Sequence, residues 1–430
     1  MNARIAVGTL VLGAALSACG GNNGAAIVPQ ASRTAETAQT QGSASALDAR
    51  VGQNTLALVG SIHEHSAYSD GYPGSTPATF YASGKQHGLA YMIGSDHSDF
   101  LALPVSTSGY CLGAALPQCV PADQQQRLAS LDKWQATQTQ AAAATTSAYT
   151  AARGFEWSSE RFGHIGVYLS QNYTSAVTDG GNAEMTYFWA WFTQLPAALG
   201  GGTDALATFN HPGLKCVSQS DPGCNWNDFA FMPNADQRMV GIEVFGYIDA
   251  DYGSAGPSPA GYYAHALDKG WHLGAIGAED LGHAYVDDWG APQHPKTVIL
   301  AANNTVSAIH DALLARHFYA TRDANERLTF TAGRAMMGDE ISVRRGGAVR
   351  VDATLADATG KALPGALLEL VTTGGRIVLT GTNTMHASVR LGATDKYLFV
   401  RARRADRTPI AYSSPIFVTA GARDVNDTEN

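Results

Sequence analysis

The sequence has 430 residues, a net charge of −9 and a charged fraction of only 15%. This length is enough for one large and one small domain, each with its own core. The acidic balance provides no basic face to oppose phosphate repulsion, so it argues against nucleic acid as a partner. A small phosphorylated substrate is not excluded, because bound metal ions can supply local positive charge.

The first 19 residues have the pattern of an export signal. Arg4 precedes an apolar run, Ile5 to Ala15, that is too short to cross a bilayer. The run leads into Leu16-Ser17-Ala18-Cys19, which resembles the bacterial lipobox. This resemblance implies a lipid anchor on Cys19 and a place in the bacterial cell envelope, facing the periplasm or the exterior. An ordinary signal peptide is the alternative, and residues 20–50 predict a flexible tether.

Four further cysteines form two pairs of identical spacing in loops rich in Gly, Pro and Ser. They are Cys111, Cys119, Cys216 and Cys224. Three connectivities are possible, and disulfides Cys111–Cys119 and Cys216–Cys224 are favoured because each closes a short loop in an oxidising compartment. Each bridge would stabilise the fold by roughly 2–3 kcal/mol. A zinc site is the alternative, although CxxC spacing is absent.

Short apolar runs alternate with helical patterns from about Leu56 to Ala301. Several of the runs lead into a polar or ionisable residue: Leu56–Ile62 into His63, Ala90–Ser95 into Asp96 and His97, Gly154–Phe155 into Glu156, Leu206–Asn210 into His211, Val240–Ile242 into Glu243, and Leu273–Ala278 into Glu279 and Asp280. The helical patterns are Pro77–His87, Gln124–Ala151, Met185–Leu199 and Thr305–His317. This alternation predicts an α/β fold with a parallel sheet, and polar residues at strand ends are typical of an α/β barrel.

The residues at these strand ends are of the types that bind divalent metals. His63 and His65 are two residues apart, so an extended backbone points both imidazoles to one side. A turn at Asp70 can bring its carboxylate back toward them. Each residue alone is as well explained by a structural role, but their joint appearance in this order favours a metal centre.

Together these motifs resemble those of the PHP (polymerase and histidinol phosphatase) superfamily. The matching residues are Gly60–Ser66 with Ser69-Asp70-Gly71, Ser95-Asp96-His97, Gly154-Phe155-Glu156, His164, Asn210-His211-Pro212, Gly241-Ile242-Glu243, and Asp280 with His283. The resemblance covers roughly residues 55–335. It implies a distorted (β/α)7 barrel over residues 51–335 that holds two or three divalent ions, Zn, Mn or Fe.

The resemblance implies a set of ligands for each ion. The first ion would be held by His63, His65, Glu156 and Asp280, the second by Glu156, His164 and His211, and the third by Asp70, His97 and His283. Asp96 is expected to orient an imidazole, and Glu243 is either a substrate contact or a buried strand-end carboxylate. The superfamily usually has Asp-x-His in its last motif, whereas two residues separate Asp280 from His283. Either the loop bulges at Gly282 or His283 is not the ligand, so the third ion depends on His283.

The pattern changes to period two beyond about Gly338. Residues 336–420 contain short alternating runs without a long helix, which predicts a small C-terminal β-sandwich. The last residues, 421–430, are polar and predict a disordered tail.

The resemblance implies a metal-dependent hydrolase. Phosphate-ester cleavage is the commonest chemistry of the superfamily, with a metal-bound hydroxide attacking a small, anionic substrate. Carbamate or amide hydrolysis at the same centre is an alternative, since fold and ligands do not choose between them. Two further alternatives are not enzymes. One is a surface lipoprotein that binds metal without catalysis, and the other is a scaffold that works through its β-sandwich. Lys296 and Arg322 are candidate contacts for an anionic substrate, or surface and strand-capping charges.

Overall fold

The computed structural model describes most of the chain after residue 54. The described residues are 55–72, 74–101, 132–178, 181–215, 218, 220–246, 250–257, 261–280, 288–344 and 346–421. The signal peptide with Cys19, the tether, Cys111, Cys119, Cys216 and His283 lie outside these ranges, so what was expected of them stays a prediction. Cys224 is buried and disulfide-bonded, but its pairing with Cys216 stays a prediction. Within the described ranges, no helix is long and apolar enough to cross a membrane.

Thirteen described strands and seven helices make up the chain between residues 55 and 321. The strands are β1 (Leu56–Ser61), β2 (Tyr91–Ile93), β3 (Thr150–Ala152), β4 (Gly154–Ser159), β5 (Gly163–Tyr168), β6 (Val177–Thr178), β7 (Gly181–Asn182), β8 (Leu206–Phe209), β9 (Met239–Gly246), β10 (Ala250–Asp251), β11 (Gly274–Gly277), β12 (Lys296–Ala301) and β13 (Phe318–Thr321). The helices are α1 (Pro77–Gln86), α2 (Ser98–Leu101), α3 (Lys133–Ala144), α4 (Met185–Thr193), α5 (Pro233–Asp236), α6 (Gly261–Asp268) and α7 (Val306–Leu314). A left-handed turn occupies Cys224–Phe229.

The strands form mixed sheets, so the fold is α/β but the prediction of a parallel sheet is wrong in part. Strands β1, β2 and β3 run parallel, as do β8, β9 and β11. Strands β4 and β5 form an antiparallel hairpin, β5 pairs antiparallel with β8, and β12 pairs antiparallel with both β1 and β13. The connection between β4 and β5 is too short for a crossover, and only an antiparallel pair fits it.

Strands β1, β2, β3, β12 and β13 belong to one sheet, and β4, β5, β8, β9 and β11 belong to another. The two sheets approach each other at both ends. Only Arg153 separates β3 from β4, and the Glu156 amide donates to the Asp96 carbonyl at 3.1 Å. At the other end, Thr297 of β12 binds β11 through its side chain: its hydroxyl accepts from the Gly277 amide at 3.0 Å and donates to the Gly277 carbonyl at 2.9 Å. The backbone ladder of the described strands does not close here, and the barrel stays a prediction.

We expect Thr297→Val to destabilise the protein by about 2 kcal/mol, because it leaves both buried Gly277 backbone groups without their partner while keeping the side-chain volume. The urea midpoint of unfolding measures this. Thr382→Val, at an exposed strand position, is the matched control. Equal midpoints for the two variants would show that the Thr297 contact does not hold these strands together.

Helices α1, α4 and α7 begin within one residue of their predicted patterns and end before them, whereas α3 begins only at Lys133, inside its pattern. Helix α1 begins at Pro77, as predicted, and Thr76 is its N-cap. The pattern Gln124–Ala151 is wrong at its end, because α3 stops at Ala144 and β3 follows. The Thr145 hydroxyl accepts from the Ala151 amide at 3.0 Å and so turns the chain into β3. Helix α4 stops at Thr193 rather than Leu199, since Pro196 cannot continue it.

A layer of buried aromatic side chains determines which way the side chains of β4 face. Successive strand residues point to opposite faces, so Phe155 and Trp157 face one way and Glu156 faces the other. The Trp157 and Phe188 rings have centroids 5.0 Å apart, and those of Phe155 and Trp191 are 5.7 Å apart. Both partners belong to α4. The buried aromatic contacts on one face of β4 therefore hold Glu156 on the opposite face.

The C-terminal part is built mainly from strands. They are β14 (Arg327–Ala332), β15 (Ala335–Met336), β16 (Glu340–Val343), β17 (Ala348–Ala356), β18 (Leu367–Thr372), β19 (Arg376–Thr382), β20 (Thr384–Arg390), β21 (Tyr397–Arg403), β22 (Pro409–Ser413) and β23 (Ile416–Ala420). Strands β15, β14, β17 and β20 form one sheet, while β22 pairs with β13 of the preceding part. A shared core joins Leu355 and Leu370 to Val298 of β12. The β-sandwich itself stays a prediction. The predicted C-terminal domain starts at residue 336, whereas its first strand, β14, already begins at Arg327.

Candidate metal centre

The residues after β1 supply two imidazoles. His63 and His65 are fully buried, and their Nε2 atoms lie 3.0 Å apart. Glu64, between them, turns the other way, and its carboxylate accepts from the Ser61 hydroxyl at 2.5 Å. The extended backbone thus places both imidazoles on one side, as their spacing predicts.

Glu156 lies among five imidazoles, four of which have a nitrogen within 3.2 Å of one of its oxygens. Its Oε1 is 3.2 Å from His63 Nε2 and 3.0 Å from His211 Nε2. Its Oε2 is 2.9 Å from His97 Nδ1 and 3.0 Å from His164 Nδ1. The carboxylate is fully buried, so each of its oxygens faces two imidazole nitrogens away from solvent. Such a position suits a carboxylate that bridges two ions.

Two aspartates complete the described part of the cluster. Asp280 Oδ1 is 3.2 Å from His65 Nε2 and 3.5 Å from His63 Nε2. Asp70 Oδ2 is 3.3 Å from His97 Nε2, and its Oδ1 is 3.6 Å from His65 Nδ1. Both aspartate side chains are about a quarter exposed, whereas Glu156 is not exposed at all. The cluster therefore opens to solvent on its aspartate side.

The geometry fits bound metal ions. In each of three groups of residues, the ligand atoms lie within 4.8 Å of one another. The groups are His63 with His65 and Asp280, His63 with Glu156 and His211, and His65 with His97 and Glu156. Ligand atoms around a tetrahedral zinc ion lie about 3.3 Å apart. Although His164 Nδ1 is 3.0 Å from Glu156 Oε2, neither atom makes a hydrogen bond within the described residues. An ion shared by the two would satisfy both atoms.

The structure thus brings together eight of the nine predicted ligands. They are His63, His65, Asp70, His97, Glu156, His164, His211 and Asp280. His283, the ninth, lies outside the described residues. Five histidines without a motif lie elsewhere, each against a carboxylate: His265 with Asp228, His272 with Asp236, His310 with Asp311, His317 with Asp339, and His386 with Asp352.

The charges of the cluster shift the pKa of its members. Burial lowers the pKa of His63, but the charges of Asp280, Glu156 and Glu243 outweigh burial and hold it well above its ordinary value. Burial raises the pKa of Glu156, yet the neighbouring charges of His164 and His63 and the hydrogen bond from His211 hold it well below its usual range. The carboxylate is therefore ionised, as a metal ligand must be.

Two of the ligands have a left-handed backbone. The φ angles of His211 and Asp280 are 29° and 48°, in a region that residues other than glycine rarely adopt. Such a conformation costs on the order of 1–3 kcal/mol and persists where surrounding contacts impose it. For Asp280 one such contact is its amide, which donates to the His63 carbonyl at 3.0 Å and ties the two ligands together.

Glu243 holds two of the ligands from behind. Its Oε1 accepts from His63 Nδ1–H at 2.6 Å, and its Oε2 accepts from the His211 amide at 2.6 Å. Because a carboxylate only accepts, His63 carries a proton on Nδ1, which leaves Nε2 as the atom that would bind an ion. Glu243 is fully buried, so the structure favours the buried strand-end carboxylate over the substrate contact.

Asp96, Lys296 and Arg322 each have partners within the protein. Asp96 accepts from the Ser66 amide at 2.7 Å and from the Ser69 hydroxyl at 2.7 Å, and the Ser69 hydroxyl is in turn 3.3 Å from His65 Nδ1. The Lys296 ammonium is buried, 2.6 Å from Glu279. The Arg322 guanidinium stacks over Phe245. Neither cation has a described contact with the metal centre.

Sequence reasoning missed Asn210 as a partner of the centre. Its side-chain amide donates to Glu156 Oε1 at 2.9 Å and accepts from the Thr208 hydroxyl. The signal was its position beside His211 in the Asn-His-Pro motif. The contact itself depends on β4 and β8 lying on either side of β5, which no local pattern reveals.

We expect Glu243→Gln to weaken metal binding by about 10–100-fold, because removing a partner that orients a ligand has this effect in other metal sites. A glutamine cannot accept from both His63 and the His211 amide. Competition with a coloured chelator measures the affinity. Glu326→Gln changes another buried glutamate, one bound to Thr321, and should leave the affinity unchanged. Equal affinities in the two variants would contradict this role of Glu243.

Comparisons with known proteins find similarity only at the level of structure. No family model matches the chain, and no curated protein matches it. It is similar to a two-domain protein from Bacteroides vulgatus, described as containing a predicted PHP-like metal-dependent phosphoesterase, with 16% identity and a TM-score of 0.43 over 84% of this chain and 96% of that chain. It is also similar to PsfC from Pseudomonas syringae, with 14% identity and a TM-score of 0.31 over 56% of this chain and 82% of that chain. With both TM-scores below 0.5, any assignment of function depends on the side chains of the centre itself.

Proposed function

We propose that this protein is a metal-dependent hydrolase of the PHP type that cleaves phosphate esters. The observation that carries the proposal is Glu156, a buried carboxylate with each oxygen close to two imidazole nitrogens. Divalent ions bound between these groups would lower the pKa of a water molecule and supply hydroxide at neutral pH. In this proposal the fold is a distorted (β/α)7 barrel followed by a β-sandwich, and the chain is exported and anchored through Cys19.

The chain's own residues divide the work. Glu156 and Asp280, whose pKa values lie below their usual range, would offset the charge of the ions, and the imidazoles would supply neutral ligands once the ions displace their protons. Glu243 fixes the His63 ring and Asn210 fixes the Glu156 carboxylate, so these ligands need little rearrangement during reaction. The partly exposed Asp70 and Asp280 mark the side from which substrate enters.

The purified full chain, with Zn, Mn or Fe varied, tests the proposal on three substrates: p-nitrophenyl phosphate, bis-p-nitrophenyl phosphate and an aryl carbamate. We expect metal-dependent turnover of a phosphate ester that His63→Ala abolishes and that the control His310→Ala, at a partly exposed histidine away from the centre, preserves. Turnover of the carbamate alone would replace the phosphoesterase with a carbamate hydrolase. Bound metal without any turnover would support a non-catalytic binding protein.

A further inference from the structure

The turn that contains the ligand His211 also carries a lysine. The Leu214 amide donates to the His211 carbonyl at 3.2 Å, and the Gly213 amide donates to Asn225 Oδ1 at 2.8 Å. Gly213 has a φ of 86°, which a glycine adopts without strain. These contacts fix the path of the backbone from His211 to Lys215. The position of the lysine is therefore set by the same turn that places a ligand.

Lys215 is connected to the centre through one carboxylate. Its ammonium is 3.2 Å from Glu160 Oε1, and the same oxygen is 3.4 Å from Nε2 of the ligand His164. Glu160 follows β4, the strand that carries Glu156, so the pair spans from the turn after β8 to the end of β4. The Lys215 side chain is 39% exposed and that of Glu160 is 60% exposed, so both can reorient at little cost.

The lysine also lies within electrostatic range of the centre. Burial lowers its pKa, but the charge of Glu160, its hydrogen bond and the more distant charges of Glu156 and Asp280 raise it above the ordinary value. Asp280 belongs to the open side of the cluster. Lys215 is thus a permanent cation at the rim of the centre, with solvent access and a replaceable partner.

We propose that Lys215 is a specificity-determining residue that exchanges Glu160 for the anionic oxygens of a phosphate group, and so selects phosphate esters over neutral carbamates. This inference rests on the proposed function, which it narrows to substrates with a charged group next to the scissile bond. A neutral substrate would leave the Lys215–Glu160 pair intact and gain nothing from it. A phosphate would form a charge-assisted hydrogen bond with the ammonium.

Inorganic phosphate is a suitable probe, because its binding needs no turnover. We expect Lys215→Met to weaken phosphate binding to the metal-loaded full chain by about tenfold, as measured by titration calorimetry. Lys215→Arg should restore most of the affinity. Glu160→Gln should strengthen binding, because it removes the competing carboxylate. Lys269→Met is the matched control, since Lys269 forms a similar half-exposed pair with Asp228 away from the centre.

Substrate kinetics separate a specificity role from a structural one. Lys215→Met should raise KM for p-nitrophenyl phosphate by about tenfold with little change in kcat, and leave KM for an aryl carbamate unchanged. Phosphate affinity equal to that of Lys269→Met, or no phosphate binding by the wild-type protein, would overturn the proposal. Phosphate binding that depends on Lys215 in a protein without turnover would overturn the proposed function and leave the role of Lys215 standing.

Discussion

Replacing Glu156 with glutamine is expected to lower hydrolytic activity by at least about a thousandfold and to reduce the metal content of the purified protein. Metal ions contribute several kcal/mol of transition-state stabilisation, and each 1.36 kcal/mol is tenfold in rate. Glutamine has nearly the shape of glutamate, so the effect reports the loss of charge and of one coordinating oxygen. Elemental analysis and steady-state assays measure the two consequences separately.

The expected size follows from the position of the side chain. Each Glu156 oxygen lies within 3.2 Å of two imidazole nitrogens, and the carboxylate has no exposed surface. A glutamine nitrogen at either position would direct N–H groups toward imidazole lone pairs that ought to face an ion. With the proposed ligand sets, the substitution would disturb two ion sites at once, whereas loss of His164 would remove a ligand from only one.

Glu326→Gln is the matched control, since this glutamate is also buried but lies at the start of the C-terminal sheet. Burial and the charge of Asp323 raise the pKa of Glu326 to about 7, so the neutral amide is well tolerated there. The control should retain both metal and activity, with circular dichroism confirming the fold of both variants. Full metal content and full activity in Glu156→Gln would refute the bridging role.

The sequence was most informative where a ligand follows directly from local geometry. His63 and His65 share one side because alternate residues of an extended chain do so, and this needs no knowledge of the fold. The partner of His63 Nδ1 is different: Glu243 lies 180 residues away, and the contact exists only because β9 and the end of β1 face the same interior. Periodicity carries no information on such a pairing.

Strand direction was the weakest part of the prediction, for a related reason. Strands β4 and β5 are buried at every position, so neither shows the alternation that distinguishes a one-sided strand. Their antiparallel pairing follows from the short turn at Glu160–Phe162 rather than from either strand. Similarly, the Ala- and Gln-rich pattern of α3 has no stop signal, and the helix ends where Thr145 binds the following strand.

Removing the metal ions is expected to lower the melting temperature by at least about 5 °C as well as to abolish activity. An ion at a thousandfold excess over its Kd stabilises the folded state by about 4 kcal/mol, and a chelator withdraws this free energy. Without ions, the buried carboxylates must be balanced by protonated imidazoles. Differential scanning calorimetry before and after chelation measures the change, and returning the metal should reverse it.

The loss of stability on chelation should also depend on pH. The neighbouring carboxylates raise the pKa of His63, His97 and His211 above 6.5 in the folded protein, outweighing the effect of burial. The stability that these protons give the metal-free protein is complete below pH 6.5 and is lost as pH rises through the raised values. Metal binding strengthens over the same range, because protons compete with the ions for the imidazoles.

The gap between the melting temperatures of the metal-loaded and the chelated protein should therefore widen from pH 6.5 to 8.5, and Glu156→Gln should show little gap at either pH. A gap that stays constant, or one as large in Glu156→Gln as in the wild type, would mean that the ions bind somewhere other than at these histidines.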